Sequence, residues 1–325
     1  LTEHFGDSVY IGRLSLTDID LMTIPTKLTN RGTFRAFEVL MKLLPPPKYN
    51  NLDATPFITL FFPFFFGIIL GDMAYGLQLI TIAGFLKWKF SRRVIISDAA
   101  TVALVCGIST VFFGFLFGEF LGDFGERRFG LHPIFPWLHR MHAIQVMLII
   151  AICIGVIHVI LGFALKIYIS SVMRHTKGIV EGIAKITVIS GLVVVFTQLF
   201  LGFPLLVRHV GYGMMGAGMV GILATEGIFG IIETMGMFGN ILSYSRIMAI
   251  GLSSVILALV ANKLAEESSN IILAIAIGVS IHTINFVMGV FSPSIHSLRL
   301  HYVEFFTKFF NSSGRPFQPF KRMEE

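Results

Sequence analysis

The sequence predicts an all-α integral membrane protein of eight transmembrane helices, the first two a short hairpin and the last two long and strongly tilted. Three observations carry that prediction. Of 325 residues, 54% are hydrophobic and only 14% charged, against about 25% charged in soluble domains. Mean hydropathy is +0.79. The apolar residues also gather in runs long enough to cross a bilayer, which takes roughly 20 residues per helix. A β-barrel would instead show alternating segments of about ten.

Residues 1–50 are polar and mixed, with no signal-peptide core. "LLPPPKYNNLDATP" (43–56) has the composition of a linker into the membrane. Three parts are expected: 1–55, the end of a cytoplasmic soluble domain and its linker; 56–310, an eight-helix membrane domain; and 311–325, a cytoplasmic tail. On this expectation the chain begins inside a longer protein with a soluble N-terminal part.

The apolar runs are 57–86, 95–118, 143–168, 180–203, 211–225, 227–262 and 270–295. The first is either one long helix or two short ones turning at Gly71-Asp72 and Gly76, since glycine punctuates helices and Asp favours turns and caps. Loop charges decide. Basic groups follow the first run (Lys87, Lys89, Arg92, Arg93), surround 169–179 (Lys166, Arg174, Lys177, Lys185), and crowd both ends of the chain. A hairpin puts all of them on the cytoplasmic side and the Glu266-Glu267 link outside, as the positive-inside rule requires; a single span does not. Eight helices with both ends cytoplasmic follow. The first two, of about 15 residues, reach only ~22 Å. The loop 119–142 is then extracytoplasmic, although Arg127, Arg128 and Arg140 weigh against that placement. The last two runs exceed a perpendicular span, so tilt is expected.

The net charge of +6 raises the question of nucleic acid. Its distribution between apolar runs is that of membrane topology instead. Cys106 and Cys153 both lie in apolar runs and are expected to be inert core thiols, not a disulfide or a metal site.

Ionisable groups at membrane depth usually face the bundle interior or water and mark ion pathways. The seventh helix offers Glu226, Glu233 and Arg246, and the eighth His282, Asn285, His296, Arg299 and His301. Each has a plainer explanation. Glu226 would open its helix, where the dipole favours a carboxylate. Glu233 would have a partner on another helix. Arg246 would snorkel to an interface, although its nearest helix end is more than ten residues away. Glu233 and Arg246 stand about 20 Å apart along a helix, so they do not pair. His282 and Asn285 fit interhelical hydrogen bonding better than proton transfer. His296 and His301 lack metal-site spacing, and no metal is expected. Gly239, Ser243, Gly251 and Ser254 line the seventh helix as small residues that permit close approach. The sequence carries no GxxxxGK[ST] loop and no HExxH, hence no visible machinery for ATP chemistry.

At "SYSRIMAIGL" and "HSLRLHYVEFFTKFF" the chain resembles the membrane domain of subunit a of V-type rotary ATPases, called subunit I in A-type and V/A-type enzymes. "PFFFGIILGDMAYGL" (63–77) resembles that family's first hairpin, and 25–57 its passage into the membrane. The resemblance implies a stator that holds two ion half-channels against a rotating ring of proteolipid (c or K) subunits. Other implied partners are the peripheral stalk and soluble ATPase sector of the same complex, and lipid, with no nucleic acid and no cofactor. The transported ion would be H+, with Na+ the alternative. Under the resemblance Arg246 matches the family's essential arginine, and Arg299 its partner. Glu233 falls at an acidic position of the ion path. Glu226 and His296 join the candidate path, and Asp72 matches the hairpin acid. Gly239, Ser243, Gly251 and Ser254 would face the rotor. Ser254 stands where eukaryotic members carry His, and Gly289 where they carry Glu, which favours a bacterial or archaeal plasma membrane. Arg246 would lack a partner in this chain, because ring carboxylates would take turns beside it. Two other readings stay open: a stand-alone transporter or channel whose arginines bind an anionic substrate, and a membrane scaffold with buried ion pairs.

Overall fold

The computed structural model describes residues 24–48, 51–141, 143–310 and 314–317. The expected soluble segment before residue 24, and 311–313 and 318–325 of the expected tail, lie outside the described residues.

A two-residue strand, β1 (Pro25–Thr26), precedes α1 (Thr33–Met41), whose Ala36, Phe37 and Met41 are buried. α2 (Thr55–Leu70) opens with a proline in its first turn, where no backbone N–H is missed. It stops at Gly71, left-handed at φ +42°, a conformation open to glycine. Asp72 then caps α3 (Met73–Lys89), accepting from the N–H groups of Ala74 and Tyr75. α4 (Val94–Phe117) follows. Ser109 meets Gly67 of α2, Val111 meets Gly76 of α3, and Met73 meets Gly114. From the Gly71-Asp72 turn, therefore, α2 and α3 both run back along α4. Glycine at these contacts brings the backbones close.

The connection after α4 carries α5 (Phe124–Phe129) and one 3-10 turn (Pro136–Leu138). α6 (Ile144–Val172), α7 (Thr176–Leu201) and α8 (Leu205–Glu226) follow and pack in chain order, α6 on α7 and α7 on α8. α9 (Ile228–Leu242) and α10 (Ser245–Glu267) are separated by a turn at Ser243-Tyr244. α11 (Ile271–Arg299) passes into a wide π-turn (Leu300–Phe305) and a 3-10 turn (Phe306–Lys308). β2 (Arg315–Pro316) pairs in parallel with β1, bringing the two ends of the described chain together.

The protein is all-α in its bulk. Among the described residues, five segments are long and apolar enough to cross a membrane: Val94–Phe117, Ile144–Val172, Thr176–Phe200, Ile228–Glu267 and Ile271–Lys308. α2 is apolar but has 16 residues, roughly 24 Å, short of a ~30 Å hydrocarbon core. α8 is diluted by Arg208, His209 and several glycines. Aromatic packing binds α2 to the far end of the chain, with Phe57 against Phe305 and Phe309, and Phe61 against Phe305. One expectation fails: Cys106 is buried, but Cys153 is exposed on the outer face of α6.

Candidate functional site

Arg246 sits in the first turn of α10. Its Nε donates to Ser243 O at 2.9 Å, a carbonyl that also accepts from Arg246 N at 3.3 Å, so the side chain folds back over the end of α9. Its guanidinium reaches Glu304 Oε1 at 2.6 Å. Glu304 is 1% exposed and Arg246 21%. The expectation that Arg246 has no partner in this chain is therefore corrected. Helical periodicity assigns Glu304 no facing, because it lies in the π-turn, where the i, i+4 rule no longer says which residue faces inward. Beneath the pair, Tyr244 OH lies 2.6 Å from His158 Nδ1 of α6. His158 stacks on Phe305 at 4.0 Å, and its ring centroid is 5.5 Å from that of His301. His301 Nδ1 faces Ser297 O at 2.7 Å. The Nε2 atoms of both histidines are buried with no hydrogen-bond partner among the described residues. His296 is half-buried near Arg246, with Nδ1 likewise unpartnered. Arg299 points outward and makes no hydrogen bond or ion pair among the described residues.

A second charge centre forms around Lys185 of α7, whose side chain is 0% exposed. Its ammonium donates to Glu181 at 2.7 Å, and to Glu226 and Glu233 at 2.8 Å each. Three donors meet three carboxylates, the full capacity of an ammonium group. Lys166 of α6 also pairs with Glu181. Lys185 and Lys308 lie over the Phe163 ring, at 5.9 and 5.7 Å from its centre. One expectation is corrected here, and one plainer reading is met. Glu226 ends α8 rather than opening a helix, and it is held by Lys185 rather than by a dipole. Glu233 does have a partner on another helix. Lys185 was legible only as a loop charge, although Glu181 one turn before it, inside an apolar run, was the available signal.

The third cluster lies at the other end. Asp72 is 2% exposed. Beyond its two helix donors it accepts from Leu121 N at 3.1 Å and Gly122 N at 2.8 Å. Nearby, the buried Arg140 donates to the carbonyls of Ile69, Leu70 and Gly71 and forks onto Glu119. Burial pushes the Glu119 carboxyl up to about 7, against the opposing pull of Arg140. Arg127 pairs with Asp123 and with Glu266, the latter at 2.5 Å. The arginines that weighed against the topology thus include two with counter-charges beside them.

His282 and Asn285 are interhelical bonding groups, as expected. His282 Nδ1 is 2.7 Å from Tyr75 OH and its Nε2 is 3.0 Å from Asn262 Oδ1. Asn285 donates to Tyr75 OH and Ser254 O, and accepts from Ser254 Oγ. His282, with Gln78, Asn262 and Phe286, borders an open cavity of about 420 Å³ between α3, α10 and α11.

The four small residues divide. Gly239 is exposed, with open space where a side chain would stand. Ser243 is partly exposed. Gly251, by contrast, is buried against Ile69 O and Arg140 inside the bundle. Ser254 turns toward Asn285. Gly251 and Ser254 therefore pack within this chain and do not face outward as expected.

Residues 222–322 match a family described as the V-type ATPase 116kDa subunit family. The chain is 33% identical, over 92% of its length, to the A-type ATP synthase subunit I of Archaeoglobus fulgidus. It is 32% identical, over 100% of its length, to that of Methanocaldococcus jannaschii. A V-type ATP synthase subunit I from Chlamydia pneumoniae is 24% identical over 93% of the chain. The chain spans about half the length of these relatives, 54%, 53% and 56% respectively.

Proposed function

The chain belongs to the V-type ATPase 116kDa subunit family, and from that membership we propose that it is the membrane part of a non-catalytic stator subunit in a rotary ATP-driven ion pump or synthase. In this proposal it crosses the membrane eight times, by α2, α3, α4, α6, α7, α8, the α9–α10 pair and α11. The pairing of β1 with β2 supports both ends lying on one side, the cytoplasmic side by the loop charges. The division at residues 55 and 310 is retained as part of the proposal. The partners are a proteolipid ring, a peripheral stalk and a soluble ATPase sector.

The observation that carries the proposal is the position of Arg246. It lies at the break between two apolar helices, partly exposed, its guanidinium held by one buried carboxylate on the neighbouring segment. Beside it α11 presents an apolar face: only 6% of its most apolar window is buried in this chain. A ring carboxylate carried through lipid must be neutral, by protonation or by a bound cation. On reaching Arg246 it meets a fixed positive charge, which favours its ionised form and drives the ion off. Arginine stays protonated there, so it cannot itself pass a proton between the two sides. Glu304 holds the guanidinium between visits, and the incoming carboxylate competes with it. Arg299 adds positive charge on the exposed side, the Glu181–Lys185–Glu226–Glu233 cluster lines the cytoplasmic access route, and the half-buried His296 stands near Arg246. The membrane potential contributes ~2.3 kcal/mol per charge per 100 mV.

The test is Arg246→Ala in the assembled complex. ATP-driven ion transport is lost while the complex still assembles. Normal pumping would refute the proposal and mark the Arg246–Glu304 pair as structural.

A further inference from the structure

Three carboxylates from three helices converge within 4.8 Å of one another, those of Glu181, Glu226 and Glu233, in an arrangement suited to a metal ion. The space between them is filled from within the chain. The Lys185 ammonium sits among all three at 2.7–2.8 Å, fully buried, with no donor left over. We propose that Lys185 is a tethered cation that bars inorganic cations from this route and so sets its selectivity for protons. The inference rests on the proposed function and assigns the ion.

The physical case has three parts. First, a covalently attached ammonium competes with free ions at a very high effective concentration, because its side chain cannot leave. Second, a metal ion needs several oxygens at once, and every carboxylate here is already engaged by Lys185. A proton needs only one. Glu226 Oε2 is buried and receives no hydrogen bond among the described residues. A proton added there leaves all three Lys185 bonds in place. Third, the cluster is reachable: the Glu233 side chain is 54% exposed while the Lys185 side chain is 0% exposed. Glu233 is therefore the door and Lys185 the plug behind it. Lys166, which pairs with Glu181, adds a second fixed positive charge beside that plug.

The experiment uses the whole rotary complex in inverted membrane vesicles, with Na+ varied at constant ionic strength and pH. Wild type pumps at a rate that does not change with Na+. In Lys185→Met, which keeps the length of the side chain and removes its charge, Na+ enters the cluster and slows pumping. The slowing is roughly tenfold between about 1 and 100 mM for a site with Kd near 10 mM, as single-site mass action gives. The thermal midpoint of the variant subunit rises with Na+, and that of wild type does not. Lys185→Arg keeps the charge and stays insensitive. If Lys185→Met fails to assemble, the charge-balanced double variant Lys185→Met with Glu181→Gln takes its place, with the same expected Na+ response. A wild-type enzyme that requires Na+ or is slowed by it overturns the inference. So does a properly assembled Lys185→Met enzyme whose rate and stability ignore Na+. Failure of the stator proposal itself is distinguishable: Arg246→Ala would then pump, while the Na+ effect on the stability of Lys185→Met would remain.

Discussion

Asp72 was expected to belong to the ion path, yet the structure surrounds it with backbone donors, and substitution separates the two roles. Oδ1 accepts from Ala74 N at 2.8 Å, Tyr75 N at 3.2 Å and Leu121 N at 3.1 Å, and Oδ2 from Gly122 N at 2.8 Å. Leu121 holds an unusual φ of +48°, which such bonds help to sustain. Asp72→Ala removes a helix cap, at about 1 kcal/mol. It also strands two loop N–H groups, at roughly 1–3 kcal/mol each. Relief from burying a charge offsets part of this, so a net loss of about 2–5 kcal/mol is expected. Asp72→Asn can keep Oδ1 but turns an NH2 group toward the Gly122 N–H, for a loss of about 1.5–3 kcal/mol. Thermal unfolding of the purified complex should therefore rank wild type above Asn and Asn above Ala, with pumping falling in parallel with stability. If Asp72→Asn melts with wild type and yet abolishes transport, its ionisation serves the ion path and the structural account fails.

Two further predictions concern packing and pH. A Cβ at Gly251 would lie 2.9 Å from Ile69 O and 3.1 Å from Arg140 Nη1, so Gly251→Leu should lower the thermal midpoint and expression, by overpacking of about 1–3 kcal/mol or more. At the open Gly239, Gly239→Leu should leave the stability of the chain unchanged and slow only the assembled complex; a large stability loss there would show that its open face is not free. Glu119 has its folded pKa raised from 4.5 to about 7. The folded chain then holds a proton that the unfolded chain releases. Its contribution is full below about 4.5 and is lost as pH rises through 7, at up to ~1.4 kcal/mol per pH unit. Melting curves of Glu119→Gln between pH 5 and 7 should lack that slope; an unchanged slope would show that Arg140 keeps Glu119 ionised throughout.

Composition made the helical membrane class legible, because apolar runs of that length have few other uses. Gly71-Asp72 was legible as a turn from local chemistry alone, since a left-handed glycine followed by a capping Asp is a short-range signal. The positions of Arg246, Glu233 and Asn285 in apolar runs were equally plain. Their partners were not. Lys185 reaches Glu233 across 48 residues, Glu304 reaches Arg246 across 58, and Tyr75 reaches Asn285 across 210, and no local pattern encodes which helices become neighbours. The inward facing of Gly251 is hidden from local pattern for the same reason. A small residue looks alike whether it clears a path for an outside partner or admits a carbonyl and a guanidinium from within.

The π-turn at Leu300–Phe305 has a consequence for how the chain tolerates change in length. A π-turn takes up one residue more than an α-turn, so the helix ahead of it and the segment behind it are out of phase by about 100°. Loss of a single residue within it would heal the helix into regular geometry and look harmless in a sequence. It would also swing Phe306, Lys308 and Phe309 about a quarter-turn off their present neighbours, Phe57 and Phe163 among them. The extra residue acts as a phase shifter between the two ends of one rod, and its number, more than its identity, is what must be preserved.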